Sequence, residues 1–228
     1  MKKGFSKFAE TALCVLVIAA AVVLVAIGKA DAAQAYDGWM SICDVPSDRG
    51  DIFSLTESGV LPLYEVNGAY YFRPDAAVTR EYIASAAARA LGLDKNKYGG
   101  VPLGVIDEAE IEPSWLGYVK AAAFDGVMTV FAAEDGKASF RPKATVTRAQ
   151  AAKILSSMIY AAASTTKVAD FSDRDDIPSD CLAAIEKLVA LDVFQGNGDG
   201  KFRPNDNITN EELSSALYKM IRGGYIKK

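Results

Sequence analysis

The chain has 228 residues, 50% of them hydrophobic, and a formal net charge of −4 at pH 7. An acidic chain without a basic tract is a poor partner for nucleic acid, because neutralisation of phosphates by lysine and arginine dominates that kind of binding. The sequence contains no histidine, which excludes histidine-based metal sites and histidine general bases, and we expect neither a metal nor another cofactor.

Residues 1–35 predict a secretory signal peptide. Lys2, Lys3 and Lys7 precede an apolar run over about 12–27, and small residues in the A-x-A pattern follow it. That order of charges, apolar run and small residues is typical of an export signal, which is removed from the mature protein. Because the run is long for a signal, a retained membrane anchor is the alternative, and the membrane is a partner only in that case.

The rest of the sequence contains one unit three times. The phrase Phe-Arg-Pro begins at Phe72, Phe140 and Phe202, and in each copy a threonine follows the phenylalanine seven residues later. The apolar pattern predicts one helix before this phrase and one after it, separated by a loop with turn residues. The predicted boundaries are those of repeat 1 (36–104, with a degraded first half), repeat 2 (105–168) and repeat 3 (169–228).

The predicted helices alternate between a first and a second helix of each repeat. Their expected bounds are 51–58 and 79–91 in repeat 1, 115–125 and a helix from 147 in repeat 2, and 180–191 and 209–221 in repeat 3. Residues 94–104 and 161–169 are predicted linkers. One unit cannot bury its own apolar helix faces, so we expect a mainly α fold in which three units share one core. The three phenylalanines are its expected anchors.

A capping box is predicted at the start of two second helices. Thr147 is followed three residues later by Gln150, and Thr209 by Glu212. In a capping box the threonine side chain accepts a hydrogen bond from the third backbone N–H, and the Gln or Glu side chain accepts one from the N–H of the threonine. Repeat 1 has a tyrosine at the third position after Thr79, so its box is incomplete.

Arg80 and Arg148 directly follow the capping threonine. A cation in the first turn of a helix opposes the helix dipole, which favours anions there. An arginine beside free N–H groups at a helix start can bind an anion, so both are candidate ligand-binding residues. The alternative is that each arginine pairs with a carboxylate of the adjacent repeat.

Three other residues leave alternatives open. Trp115 either stacks on a sugar ring or packs in the core as part of the first helix of repeat 2. Cys43 and Cys181 either form a disulfide between repeats 1 and 3, which an exported protein allows, or are two small buried side chains.

A longer pattern runs through the copies. Repeat 3 contains Phe171-Ser172-Asp173, then Asp199-Gly200, and Ile208-Thr209 before its second helix. Repeat 2 contains Val146-Thr147-Arg148-Ala149-Gln150, and repeat 1 contains Val78-Thr79-Arg80-Glu81. This pattern of F-x-D, G-x-x-D-G-x-F-x-P and [IV]-T-R-A-E resembles the S-layer homology (SLH) module. Two departures stand out: repeat 1 lacks a convincing F-x-D start, and repeat 3 has Asn210 in place of the arginine.

The resemblance implies a fold, a function and a site. SLH modules pack as a three-pronged spindle with pseudo-threefold symmetry, and they anchor proteins to the cell wall without catalysis by binding secondary cell-wall polysaccharide, often pyruvylated. In that family the arginine of T-R-A-E faces a groove between modules, which points to Arg80 and Arg148 and to at most two competent grooves here. The further polysaccharide-binding candidates are Glu81, Gln150, Trp115 and Asn210.

The expected location is secreted and associated with the bacterial cell wall, with an unknown cargo or protein partner. The alternative function is a membrane-tethered scaffold for protein interactions at the cell surface. Catalysis on glycans would need a paired acid and base, and the acidic residues between 107 and 112 lie in a predicted loop and helix start, where such residues are common. Replacing Arg80 or Arg148 with alanine is expected to weaken polymer binding and barely to change folding.

Overall fold

Six α-helices, two from each repeat, are the main secondary structure of the described residues, which are 42–132, 136–160, 170–196 and 198–226. In this computed structural model they are α1 (Gly50–Glu57), α2 (Arg80–Ala90), α3 (Leu116–Phe124), α4 (Arg148–Ser157), α5 (Ser179–Ala190) and α6 (Asn210–Arg222). The mainly α class is confirmed, and each helix lies within one residue of its predicted bounds.

All of these residues belong to the unit Tyr36–Lys228. The predicted signal peptide, residues 1–35, and the predicted linker 161–169 lie outside the described residues, so both stay predictions.

The second helix of each repeat begins where its threonine predicts. The side chains of Thr79, Thr147 and Thr209 each accept a hydrogen bond from the backbone N–H of the third helical residue. Both predicted capping boxes are present, with Gln150 in α4 and Glu212 in α6. Local side-chain chemistry therefore positions the start of every second helix.

Two short β-hairpins, which the helix-loop-helix prediction missed, lie in the loops of repeats 1 and 2. In repeat 1 the turn residues Asn67 and Gly68 have φ values of 52° and 79°, and an Asn-Gly pair is a strong signal for a two-residue hairpin turn. The antiparallel pairs are β1 (Tyr64–Val66) with β2 (Ala69–Tyr71), and β3 (Phe131–Ala132) with β4 (Ala138–Ser139).

One aspartate in each repeat holds the backbone of the Phe-Arg-Pro phrase. Asp44 accepts hydrogen bonds from the N–H groups of Phe72 and Arg73 at 2.8 and 2.7 Å. Asp107 and Asp173 make the same two contacts in repeats 2 and 3. Repeat 1 lacks the phenylalanine of the F-x-D start, as the sequence indicates, but it has the equivalent aspartate in the tripeptide Ile-Cys-Asp.

These aspartates support a strained backbone. The arginine of each phrase has a positive φ, which is 58° for Arg73, 57° for Arg141 and 59° for Arg203. A residue with a Cβ in the left-handed region costs about 1–2 kcal/mol, and the proline that follows restricts the arginine further. Two hydrogen bonds to one carboxylate offset that cost.

The three repeats meet in a closed cycle of backbone hydrogen bonds, which we call the backbone ring. The N–H of Val78 donates to Ile208 O at 2.9 Å, that of Ile208 to Val146 O at 3.0 Å, and that of Val146 to Val78 O at 2.9 Å. Each of the three residues precedes a capping threonine, and each is buried. Because an unpaired buried backbone group costs free energy, each repeat depends on the other two.

Helix pairs cross the repeat boundaries. The second helix of repeat 1 (α2) packs against the first helix of repeat 2 (α3), α4 packs in the same way against α5, and α6 packs against α1. One core joins the repeats, and Phe72, Phe140 and Phe202 are completely buried in it. Their predicted role as packing anchors is confirmed.

Replacing Asp44 with alanine should lower the free energy of unfolding by about 2 kcal/mol, because two backbone N–H groups lose their acceptor. Urea denaturation followed by circular dichroism measures the change. Asp48→Ala is the matched control, since Asp48 is an exposed aspartate of the same segment. Equal stability of the two variants would contradict the role given to Asp44.

Candidate functional site at the junctions between repeats

Each junction is built from the start of one second helix and the Phe-Arg-Pro loop of the neighbouring repeat. We name them junction 1–2, around Arg80, junction 2–3, around Arg148, and junction 3–1, around Asn210. The first two N–H groups of each of these helices donate to carbonyls of that loop: Ala144 and Pro142, Asp206 and Pro204, and Ala76 and Pro74. The expectation of free N–H groups at these helix starts is therefore wrong.

Arg80 has a buried guanidinium that holds the loop of repeat 2. Its Nε donates to Phe140 O at 2.7 Å and its Nη2 to Thr129 O at 2.6 Å, and only 8% of the residue is exposed. The guanidinium also lies over the ring of Phe131, 4.4 Å from its centroid. Burial lowers the pKa of Arg80 to about 10, and the neighbouring cation Arg141 adds to the effect. Arg80 is still a cation at neutral pH.

Arg148 makes the same contacts with repeat 3 and one more. Its Nε donates to Phe202 O at 2.8 Å and its Nη2 to Gln195 O at 3.2 Å. Its Nη1 donates to a carboxylate oxygen of Glu212. The alternative of a carboxylate partner from the adjacent repeat is thus confirmed for Arg148, whereas Arg80 forms no ion pair within the described part of the chain.

Junction 3–1 achieves equivalent contacts without a cation. Asn210 is fully buried, and its Nδ2 donates to the carbonyls of Phe72 and Arg73 at 3.0 Å each. At the other two junctions the arginine also holds a carbonyl that lies three residues after the left-handed residue at the end of the first helix. In repeat 1 this carbonyl belongs to Pro62. It accepts a hydrogen bond from Tyr82 Oη at 3.1 Å. Asparagine and tyrosine thus replace one arginine.

Glu81, Trp115 and Gln150 have different roles. Glu81 is buried and accepts hydrogen bonds from Lys143 Nζ at 2.6 Å and from the N–H of Glu112 at 3.0 Å. Trp115 is 7% exposed, and two tyrosine rings lie against its ring, so its geometry fits core packing rather than stacking on a sugar. Gln150 is exposed, and its Oε1 accepts the N–H of its own capping threonine.

Two arginines of the Phe-Arg-Pro phrases border the junctions. Arg141 lies over the ring of Phe131 at 4.5 Å, the ring that Arg80 also contacts. Arg203 instead forms an ion pair with Asp199 at 2.7 Å. Their repetition in the phrase is the sequence signal that identifies them. The partner of Arg141 lies in a hairpin that the sequence analysis missed.

Two acidic residues at the start of repeat 2, Asp107 and Glu108, are engaged in structural contacts. Glu108 pairs with Lys120 at 2.8 Å and accepts the N–H of Leu103 at 2.7 Å. The lysine lowers the pKa of Glu108, whereas a general acid for glycoside hydrolysis needs a raised pKa. Asp107 is occupied by the Phe-Arg-Pro backbone. Neither carboxylate is arranged for acid–base catalysis.

The described ranges of the chain contain no group of three or more His, Cys, Asp or Glu side chains that could hold a metal ion. None of their helices is long and apolar enough to cross a membrane. Cys43 is exposed and Cys181 is buried, and no disulfide joins the two, so the pairing that the sequence left open does not form.

Repeats 2 and 3 match a known family. The model of the S-layer homology domain matches residues 107–152 and 170–213. We call these two matched segments the SLH segments. Each includes the aspartate, the first helix, the Phe-Arg-Pro loop and the start of the second helix. SLH domains anchor proteins to cell-wall polymers at the bacterial surface, and they bind rather than catalyse. No curated protein matches the chain.

Replacing Arg148 with alanine should lower the free energy of unfolding by about 3 kcal/mol, because two carbonyls lose their donor and Glu212 loses its partner. The burial of Arg148 thus predicts a clear loss of stability, where the sequence alone predicted almost no change in folding. Arg148→Asn is the matched variant and should lose less, since Asn210 holds the equivalent carbonyl in repeat 3. Urea denaturation measures both, and an alanine variant as stable as the parent chain would contradict this role.

Proposed function

We propose that the chain is a non-catalytic cell-wall anchoring module that binds a secondary cell-wall polysaccharide through acidic groups, with pyruvate ketals as the expected acid. The observation that carries the proposal is the buried guanidinium of Arg80, which has no carboxylate partner among the described residues. A partly desolvated guanidinium is a strong donor to carboxylates. The SLH segments support the proposal, because that family anchors proteins to wall polymers.

Repeat 1 is part of the proposal as a third SLH module, with modules at 36–104, 105–168 and 169–228. Three observations support it: Asp44 holds the Phe-Arg-Pro backbone, Thr79 caps α2, and Val78 takes part in the backbone ring. The packing of α2 on α3, α4 on α5 and α6 on α1 supports a three-pronged spindle, in which each prong is one of these pairs.

The candidate residues divide into one ligand-binding residue and several that build the junctions. Arg80 is the residue that we assign to direct polymer contact. Glu81, Trp115 and Asn210 are buried and act by holding neighbouring repeats together. Gln150 borders the site from the exposed face of α4.

The proposed location is the bacterial cell wall, reached by export through the predicted signal peptide. If the apolar segment at 12–27 is retained instead, the same repeats become a membrane-tethered scaffold, and their partner is then a protein.

Calorimetric titration of the full chain with secondary wall polymer, native and chemically depyruvylated, tests the proposal. The native polymer should bind, and removal of the ketal should weaken binding by about tenfold or more, as expected for loss of a charge-assisted contact. Polygalacturonate, which carries carboxylates on an unrelated backbone, is the control for general charge attraction.

Arg80→Asn is the matched site variant, since Asn210 shows that asparagine can hold the Phe-Arg-Pro carbonyl at this position. This variant should fold and should bind the native polymer no better than the parent chain binds the depyruvylated one. Equal binding of both polymers by the parent chain would mean recognition of neutral sugar. Binding of neither polymer would favour the scaffold.

A further inference from the structure

The three junctions share their backbone contacts and differ in the charge that surrounds the arginine position. We propose that only junction 1–2 recognises the acidic group, because Gln150 leaves Arg80 unneutralised where Glu212 neutralises Arg148, and because Arg141 supplies a second cation there. This inference rests on the proposed function and deepens it. It reduces the expected number of charged sites from two to one.

At junction 1–2 the guanidinium of Arg80 keeps one donor group available. Nε and Nη2 hold carbonyls of repeat 2, while Nη1 has no hydrogen-bond partner within the described ranges. Among these residues the only fully buried side-chain nitrogen or oxygen without a partner is Asn210 Oδ1. Nη1 of Arg80 is therefore accessible from the protein surface, and an acceptor on a ligand can reach it.

A second cation stands beside this donor. Arg80 and Arg141 lie 4.4 and 4.5 Å from the centroid of the same Phe131 ring, which puts the two guanidinium carbons within about 9 Å of each other. The repulsion between them lowers the pKa of Arg80, after burial. The carboxylate of Asp107 offsets part of this repulsion. Its oxygens already accept backbone N–H groups, and Glu81 is paired with Lys143, so among the described residues the repulsion is only partly offset. A bound anion would relieve it.

At junction 2–3 the corresponding cations are neutralised. Nη1 of Arg148 donates to Glu212, so the donor that remains available on Arg80 is already used here. Arg203, the counterpart of Arg141, forms its ion pair with Asp199 at 2.7 Å. An acidic ligand would have to displace an internal carboxylate to reach Arg148.

Junction 3–1 lacks the guanidinium donor, and two tyrosine side chains pack there. Asn210 carries no charge, and Tyr82 is fully buried where it meets the carbonyl of Pro62. Tyr64 stacks on Tyr82 at 5.7 Å between ring centroids. Arg73, the counterpart of Arg141, lies over Tyr64 at 4.4 Å. The position that corresponds to Arg80 is taken by Asn210.

One side chain makes the difference between junctions 1–2 and 2–3. Gln150 and Glu212 are each the third residue of a second helix, and each completes a capping box, with side-chain oxygens 3.1 and 3.0 Å from the capping N–H. Arg80 contacts repeat 2 as Arg148 contacts repeat 3, through the same two carbonyl positions. Gln150 therefore has the same relation to Arg80 as Glu212 has to Arg148. An amide cannot neutralise a guanidinium, whereas a carboxylate can.

The reciprocal exchange of these two residues in the full chain tests the inference. Gln150→Glu should weaken binding of native, pyruvylated wall polymer by about tenfold or more, since it adds an internal competitor for Arg80. Glu212→Gln should raise the number of pyruvylated sites per chain from one to two, as measured by calorimetry. Both variants keep their capping boxes, because the other repeat carries the same residue in a working box.

A second pair of variants tests the contribution of Arg141. Arg141→Gly and Arg203→Gly each remove an exposed guanidinium at a φ near +58°, and glycine adopts that conformation without strain. Arg141→Gly should weaken binding of the native polymer by severalfold, roughly the effect of one exposed cation near a bound anion. Arg203→Gly should bind as the parent chain does, since its charge is already paired.

The outcomes separate the inference from the proposed function. If the parent chain binds native polymer and Gln150→Glu binds it equally well, the inference is overturned and the anchoring function stands. Two pyruvylated sites in the parent chain would overturn it in the same way. If the parent chain binds neither native nor depyruvylated polymer, the proposed function fails and the inference fails with it.

Discussion

Each repeat exposes backbone groups that only a neighbouring repeat can pair, and the rest of the structure depends on this requirement. The carbonyl of the phenylalanine in each Phe-Arg-Pro phrase accepts from the side chain that follows the capping threonine of another repeat, namely Arg80, Arg148 or Asn210. The backbone ring adds three further contacts of this kind. Because buried polar groups must be paired, no repeat can complete its own loop.

The same contacts constrain function. An arginine at a junction uses Nε and Nη2 to hold the neighbouring loop, so Nη1 alone remains for a ligand. At junction 2–3 that group donates to Glu212, and at junction 1–2 it has no partner in the described part of the chain. The charge offered at a junction can therefore change through one side chain of the next repeat, while the backbone contacts that hold the repeats together stay the same.

Local signals predicted the helices well, because apolar periodicity and capping threonines act within one turn. Asp44 was missed because Ile-Cys-Asp replaces the aromatic start, although its contacts match those of the other repeats. The helix-loop-helix prediction missed the first hairpin, although its Asn-Gly pair is a turn signal in the sequence. The surroundings of the candidate residues depended on distant partners: Arg80 and Phe140 are 60 residues apart. Hence the sequence pointed to Arg80 and Arg148 as candidates and left a carboxylate partner open for both, but it did not predict their burial or that only Arg148 has such a partner among the described residues.

Native-state hydrogen exchange at the amides of Val78, Val146 and Ile208 tests the mutual dependence of the repeats most directly. The account predicts that all three exchange only through global unfolding and share one free energy of exchange. It also predicts that Asn210→Ala, which alters junction 3–1 alone, lowers all three values together. Fast exchange at Val78 with full protection kept at Val146 and Ile208 would contradict it, because repeat 1 would then open independently.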